Sequence, residues 1–352
     1  MTMESINSKN KYPWIDTTKS IAIFLVVWGH FQNFGTFMSL QKLIYSFHVP
    51  LFFILSGFLY KKKDDDSLGS FIRKKFRRIV LPALLWLLIS VPLFIWFHRE
   101  GTPLEMLRTY SEQIIKGAIP INEPCWFFLC LFIVFLLARL IRIHENSKVT
   151  NVCLALFAFS AGYLLSLFEI PDYFMMVKAL VCLGFFIVGH IAGNTKFFAE
   201  RSRNRSLQLL SILAAFVLWI LSALIFNEKV TLYGTDFGNY WMFILSGLTG
   251  TFFLCETVRF FSDMDTSKEK RLCERYPVNY SPFIICSHYL VFIPFALAMR
   301  SADLLSTRVY DIVFPVFIIA LFIAYYPLSK LVSKYTPYLN GEPGKGKHSR
   351  KA

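Results

Sequence analysis

The sequence predicts an all-α membrane protein with about ten transmembrane helices and both termini in the cytoplasm. Three observations carry that prediction. Of 352 residues, 55% are hydrophobic and only 17% charged, with a mean hydropathy of +0.49. Ten apolar runs of roughly 17 to 22 residues are long enough, or nearly so, to cross a hydrocarbon core of about 30 Å. Lys and Arg number 28 in the alternate segments assigned inside and 7 in those assigned outside, a bias that marks the cytoplasmic face. The net charge of +14 therefore reads as orientation and not as a nucleic-acid surface. This composition excludes a soluble enzyme with an apolar core.

The spans fall at about 17–34, 44–60, 79–97, 124–141, 150–168, 174–191, 207–226, 239–256, 280–299 and 309–326. They form one domain over 1–340, followed by a Gly- and Lys-rich basic tail, 341–352, whose composition predicts disorder. The first run carries Lys19 near its start and Trp28 and His30 near its end, with no small-residue cleavage site after it, so it is expected to remain as a span. Cys125, Cys130, Cys153, Cys182, Cys255, Cys273 and Cys286 sit mostly inside apolar runs without metal-ligand spacing, and read as buried thiols.

The first two spans hold ionisable side chains that are expensive in lipid: Lys19, His30 and His48. On a helix, Lys19 and His30 are eleven residues apart, which places them on one face about 16 Å apart along the axis, with Asp16 within about 40° of His30. Span two runs back from the same surface, so His48 and His30 can share a cavity. Pro50 cannot donate a backbone hydrogen bond, which frees the Ser46 carbonyl and bends the helix beside His48. Ser56 and Gly57 permit close helix approach.

The segment 61–78 is the most charged of the chain, with Lys61, Lys62 and Lys63, then Asp64, Asp65 and Asp66, then Arg73, Lys74, Lys75, Arg77 and Arg78. It fits both a flank against anionic lipid and a site for a polyanion. Outside segment 98–123 carries a short helix around Leu104 to Lys116. Glu123 reads as solvated and Trp126 as an interfacial belt residue. The outside loop 227–238, with Tyr233, Gly234, Asp236 and Phe237, fits a glycan contact or plain loop. His98, His144 and His348 receive no role, and His190 reads as interfacial. His288, about 12 Å into span nine, fits both a structural imidazole and a site residue.

A histidine can accept a proton from a hydroxyl nucleophile and return it to a leaving group. A cation on the same stripe nearer the cytoplasm can hold the polar part of a long donor. The same stripe also fits a proton-coupled transporter in which Lys19, His30 and His48 form a relay, and spacing alone does not choose between them.

The pattern Asp16-x-x-Lys19-Ser-Ile-Ala-Ile with Gly29-His30, then Ser46-Phe47-His48-Val49-Pro50-Leu51-Phe52-Phe53 and Leu55-Ser56-Gly57-Phe58, resembles the acyltransferase 3 family of integral-membrane acyltransferases. Within that family it is most similar to the fucose 4-O-acetylase-like branch. Lys75-x-x-Arg78 before Pro82, Cys125-Trp126-Phe127-Phe128-Leu129, and Tyr280-Ser281 through His288 resemble later family elements, so that the resemblance runs from about 12 to 330.

The resemblance implies a multi-pass protein of the bacterial plasma or inner membrane that moves an acetyl group from acetyl-CoA to a sugar hydroxyl of a surface polysaccharide or lipid-linked glycan. No metal and no permanently bound cofactor is implied. Lys19 matches the cation and His30 the catalytic histidine of the family's first motif, with His48 as a second catalytic candidate. Lys75 and Arg78 match the donor-binding basic pair, with Lys74 and Arg77 as an alternative register and Arg73 beside them. Asp16, Trp126 and His288 are supporting candidates. Ser20, Val49 and Lys75 depart from the usual Gly, Met and Arg, and Lys75 lacks the bidentate phosphate contact of an arginine.

Overall fold

The computed structural model describes residues 12–61, 67–97, 101–168, 171–195, 204–262 and 278–342. His98, His348, Cys273, Lys62, Lys63 and Asp64 to Asp66 lie outside the described residues. Among the described residues the regular elements are helices: α1 Pro13–Phe31, α2 Met38–Phe58, α3 Leu68–Phe97, α4 Pro103–Ile115, α5 Cys125–Leu140, α6 Lys148–Ser166, α7 Met176–Gly193, α8 Arg205–Ile225, α9 Tyr240–Ser262, α10 Ser281–Ser301 and α11 Arg308–Tyr335.

Eight of these, α2, α3 and α6 to α11, are long and apolar enough to cross a membrane. The remaining two of the ten expected spans are α5, of 16 residues, and α1, which carries Asp16, Lys19 and His30. The short helix expected around Leu104 to Lys116 is α4, whose start is fixed by a reciprocal cap: the Thr102 hydroxyl accepts from the Glu105 amide at 3.3 Å, and the Glu105 carboxylate accepts from the Thr102 amide at 2.7 Å.

Helix three differs from its expected start at 79. It begins at Leu68, behind a Ser67 cap that accepts from the Ser70 amide, and the basic stretch is helical. A π-helical turn over Phe76–Val80 joins that stretch to the apolar run, a local widening found often at functional sites. The final helix extends to Tyr335, beyond the expected 326, and a 3₁₀ turn, Pro337–Asn340, folds back on α3. There the Trp86 indole N–H donates to the Leu339 carbonyl at 3.1 Å, and the Asn340 side chain donates to the Asn279 carbonyl at 3.1 Å. Residues 341 and 342 follow this turn, and of the tail expected over 341–352 the rest, 343–352, lies outside the described residues.

Helices α2 and α7 form the centre, with 61% and 72% of their apolar stretches buried, against 28% for α6, α8 and α11. Their contact depends on glycine. A β-carbon at Gly57 would fall on the Phe186 carbonyl, and one at Gly189 on the Ile54 carbonyl, the close backbone approach that small residues permit between membrane helices. Helix α1 lies against α2, α9, α10 and α11. Its end is held by the Tyr310 hydroxyl, which donates to the Phe31 carbonyl at 2.6 Å. Cys125, Cys130, Cys182, Cys255 and Cys286 are buried thiols, but Cys153 is exposed on the peripheral α6, contrary to the reading of buried cysteines.

Of the effects expected of Pro50, the freed Ser46 carbonyl is seen. The Ser46 carbonyl, which lacks a helical donor, is approached by the Ser246 hydroxyl of α9 at 3.5 Å, and the Ser46 hydroxyl accepts from the Trp219 indole of α8 at 2.9 Å.

The loop between α4 and α5 is fastened by a buried ion pair. Lys178 Nζ donates to Asp172 Oδ2 at 2.9 Å and to the Gly117 carbonyl at 3.1 Å. The other carboxylate oxygen accepts from the Val177 amide at 2.7 Å and so caps α7. Lys178 is 2% and Asp172 8% exposed, so removing one charge leaves the other buried without compensation. Lys178→Met is therefore expected to destabilise the protein by about 3–5 kcal/mol in thermal melts in detergent. Asp172→Asn added to it should recover part of that loss.

Candidate active site

Two cavities open along α1, one at each end of the stripe that Lys19 and His30 share. The first, of about 530 Å³, is walled by α1, α2, α3 and α5. Lys19, Lys61, Lys74, Lys75, Arg78 and Arg139 line it, and among the described residues no carboxylate does. Such a cavity attracts anions. Its walls are aromatic: Lys75 Nζ sits 3.3 Å from the Phe135 ring centroid, and the Tyr60 and His144 rings are 4.4 Å apart. An ammonium on a ring face gains cation–π attraction while keeping its charge available.

Helical geometry explains which basic residues reach this cavity. Phe71, Lys74, Lys75 and Arg78 follow an i, i+3, i+4, i+7 pattern on one face of α3 and all line it. Arg73 and Arg77 lie off that face and are exposed. Both basic residues of Lys75-x-x-Arg78 therefore line the cavity, whereas of Lys74-x-x-Arg77 only Lys74 does. Asp16, one turn before Lys19, is not among the lining residues.

The second cavity, of about 200 Å³, is lined by His30, Tyr45, His48, Glu123, Trp126 and the loop residues Lys229 to Tyr233, with Val49. His48 Nδ1–H donates to the Ile44 carbonyl at 2.7 Å, which leaves its Nε2 lone pair as an acceptor. Around His30 stand the rings of His288 at 5.1 Å, Tyr289 at 5.2 Å and Tyr45 at 6.2 Å between centroids. The Tyr45 hydroxyl donates to the Gly29 carbonyl at 3.2 Å, locking α2 to α1 next to His30.

Trp126 is 6% exposed and faces this cavity, instead of lying in an interfacial belt. Glu123 is half-buried and accepts a hydrogen bond from Tyr289, instead of being solvated. Burial pushes its carboxyl above the usual carboxylate range, and the Tyr289 hydroxyl opposes that shift. The Tyr233 phenol is pushed up to about 12, by burial first and by the neighbouring Glu123 charge second. Tyr233 also fixes the loop, since its hydroxyl donates to the Ile119 carbonyl and accepts from the Ile119 amide, both at 2.9 Å. The Asn122 side chain donates to Ser90 Oγ at 3.1 Å and to the Cys286 carbonyl at 3.0 Å, tying Glu123 to α3 and α10.

Several cavity residues carried no signal in the sequence. Arg139 and His144 come from the far end of α5 and the turn after it, and Lys229 from the 227–238 loop, whose composition fitted a glycan contact without marking that lysine. Tyr45 and Tyr289, three residues before His48 and one after His288, were not singled out either. His190, expected at an interface, is buried at 3% exposure with its ring 4.9 Å from that of His144.

Chemically, the first cavity can hold a polyanion and the second can take or give a proton at an imidazole beside a polar wall that suits a hydroxylated ligand. Comparison with known proteins bears on this pairing. Nodulation protein NolL of Mesorhizobium japonicum is 25% identical over 187 residues, covering 48% of this chain and 46% of its own. Nodulation protein NolL of Sinorhizobium fredii is 26% identical over 242 residues, covering 64% and 59%. The chain thus matches about half the length of these curated relatives. No solved structure matches it. A family model described as an acyltransferase domain matches residues 12–334, a range that contains both cavities and α1 between them, and the chain belongs to that family of membrane acyltransferases.

Proposed function

We propose that this protein is a multi-pass O-acyltransferase of the bacterial plasma membrane, which carries an acetyl group from acetyl-CoA to a sugar hydroxyl of a surface polysaccharide or lipid-linked glycan. One observation supports this reading above the others: Lys19 and His30, on one face of α1, each line a different cavity. In this reading the basic cavity faces the cytoplasm, where the donor is, in keeping with the distribution of Lys and Arg.

The donor's phosphates meet Lys74, Lys75 and Arg78, with the Arg78 guanidinium able to make a paired contact that Lys75 cannot. The acyl arm extends past Lys19 toward His30. His30 accepts the proton of the acceptor hydroxyl as that oxygen bonds to the acyl carbon; the thioester C–S bond then breaks and the imidazolium returns the proton to the leaving thiolate. The products are the ester and free CoA. Glu123 and Lys229 offer an acceptor and a donor to the sugar's other hydroxyls, and Trp126 offers an apolar face. The resemblance to the fucose 4-O-acetylase-like branch supports a sugar as acceptor. A proton-coupled transporter would use the same residues without releasing thiol.

Membranes given acetyl-CoA labelled in the acetyl group test the reading. Label should reach glycan in wild type in proportion to free CoA, and be lost in His30→Ala at equal protein level. Full transfer by His30→Ala would remove the proposed base. Lys75→Gln with Arg78→Gln should raise the KM for acetyl-CoA at least 10-fold, the loss of about 1.4 kcal/mol of phosphate binding. Arg73→Gln with Arg77→Gln should leave it within about twofold, because both lie off the cavity face.

The raised Glu123 carboxyl has its own consequence. Between its unfolded and folded ranges the native state binds more protons than the unfolded one, so stability falls as pH rises through that window. Glu123→Gln should flatten that slope, matching wild type in thermal melts below the window and exceeding it above.

A further inference from the structure

Two buried atoms at the heart of the outer site lack hydrogen-bond partners: His30 Nδ1 and His288 Nε2. They belong to neighbouring rings, with centroids 5.1 Å apart and planes tilted by 44°. His288 is fully buried, and its Nδ1–H is committed to the Ile284 carbonyl at 3.1 Å. That bond settles the ring's character, because a neutral imidazole that donates at Nδ1 carries its lone pair at Nε2. His288 thus presents a fixed acceptor to the side of His30 away from its carbonyl anchor. The large majority of buried side-chain polar atoms in folded proteins have a partner, and these two complement one another, directly after a ring rotation or through one bridging water.

We propose that His288 is a positioning residue, which accepts from His30 Nδ1–H and thereby holds His30 in the tautomer whose Nε2 lone pair is available to the outer cavity. The assignment of His30 as the base rests on the function proposed above; the tautomer does not. The pairing keeps a base ready at the hydroxyl of the acceptor and steadies the imidazolium that forms when it takes the proton, a task for which an oriented neutral ring is sufficient in a buried site.

The test reads tautomer and turnover separately. Protein labelled with ¹⁵N-histidine, in nanodiscs without substrate, should show His30 protonated at Nδ1 and unprotonated at Nε2, and His288→Phe should abolish that preference. In turnover, His288→Phe should lower kcat about 100-fold with the KM for acetyl-CoA unchanged, since the basic cavity is untouched. His288→Gln, which can present a carbonyl oxygen near the place of Nε2, should restore part of both the tautomer and kcat. His30 protonated at Nε2 in wild type would overturn the proposal, as would an unchanged tautomer in His288→Phe. A fixed tautomer in a protein that transfers no acyl group would support the pairing and refute the function instead.

Discussion

A bilayer accepts ionisable side chains only where protein or water surrounds them, and α1 places Lys19 and His30 along a single face. Much of the fold can be understood as the enclosure of that face. Helices α2, α9, α10 and α11 pack around α1, and α3 and α5 complete a wall at the Lys19 end. At the His30 end the wall is made by α2, by residues before and within the start of α5, and by the loop ahead of α9. Each of these ionisable side chains thus acquires a polar chamber, and the spacing of about 16 Å along the helix separates the two chambers.

The chambers are kept in register by contacts remote from them. The glycine contact between α2 and α7 brings backbone against backbone, which fixes the level of His48 relative to the central helix. The Lys178–Asp172 pair then fastens Gly117, and Tyr233 grips Ile119 two residues on. Asn122 ties the next turn to α3 and α10. Glu123 and Trp126 therefore enter the His30 cavity from a segment held at several points, so a polar loop serves as a rigid wall.

Much of this was legible in the sequence because bilayer physics is strict. Apolar runs of membrane length became helices, and the eleven-residue spacing of Lys19 and His30 put them on one face. Pro50 predicted a free carbonyl at Ser46, and Ser246 approaches it. What was not legible came from long-range packing. The basic stretch 68–78 read as a loop because charge masks helical periodicity, yet a Ser67 cap and a π turn make it part of α3, and that helicity separates Lys74, Lys75 and Arg78 from Arg73 and Arg77. Glu123 and Trp126 carried the local pattern of a membrane interface; only the arrival of Tyr289 and the 229–233 loop turned them inward. No local pattern marked Arg139, His144 or Lys229, because each is brought to its cavity by the turn or loop that follows or precedes a span.

The central claim is that donor and acceptor occupy chambers at opposite ends of α1, and membrane sidedness tests it most directly. Inverted and right-side-out vesicles of equal protein content would be given acetyl-labelled acetyl-CoA from the bath alone, and label on the glycan would be followed. The account predicts labelling in inverted vesicles, whose cytoplasmic face is exposed to the bath, and none in intact right-side-out vesicles until they are permeabilised. Equal labelling in both, before permeabilisation, would contradict it.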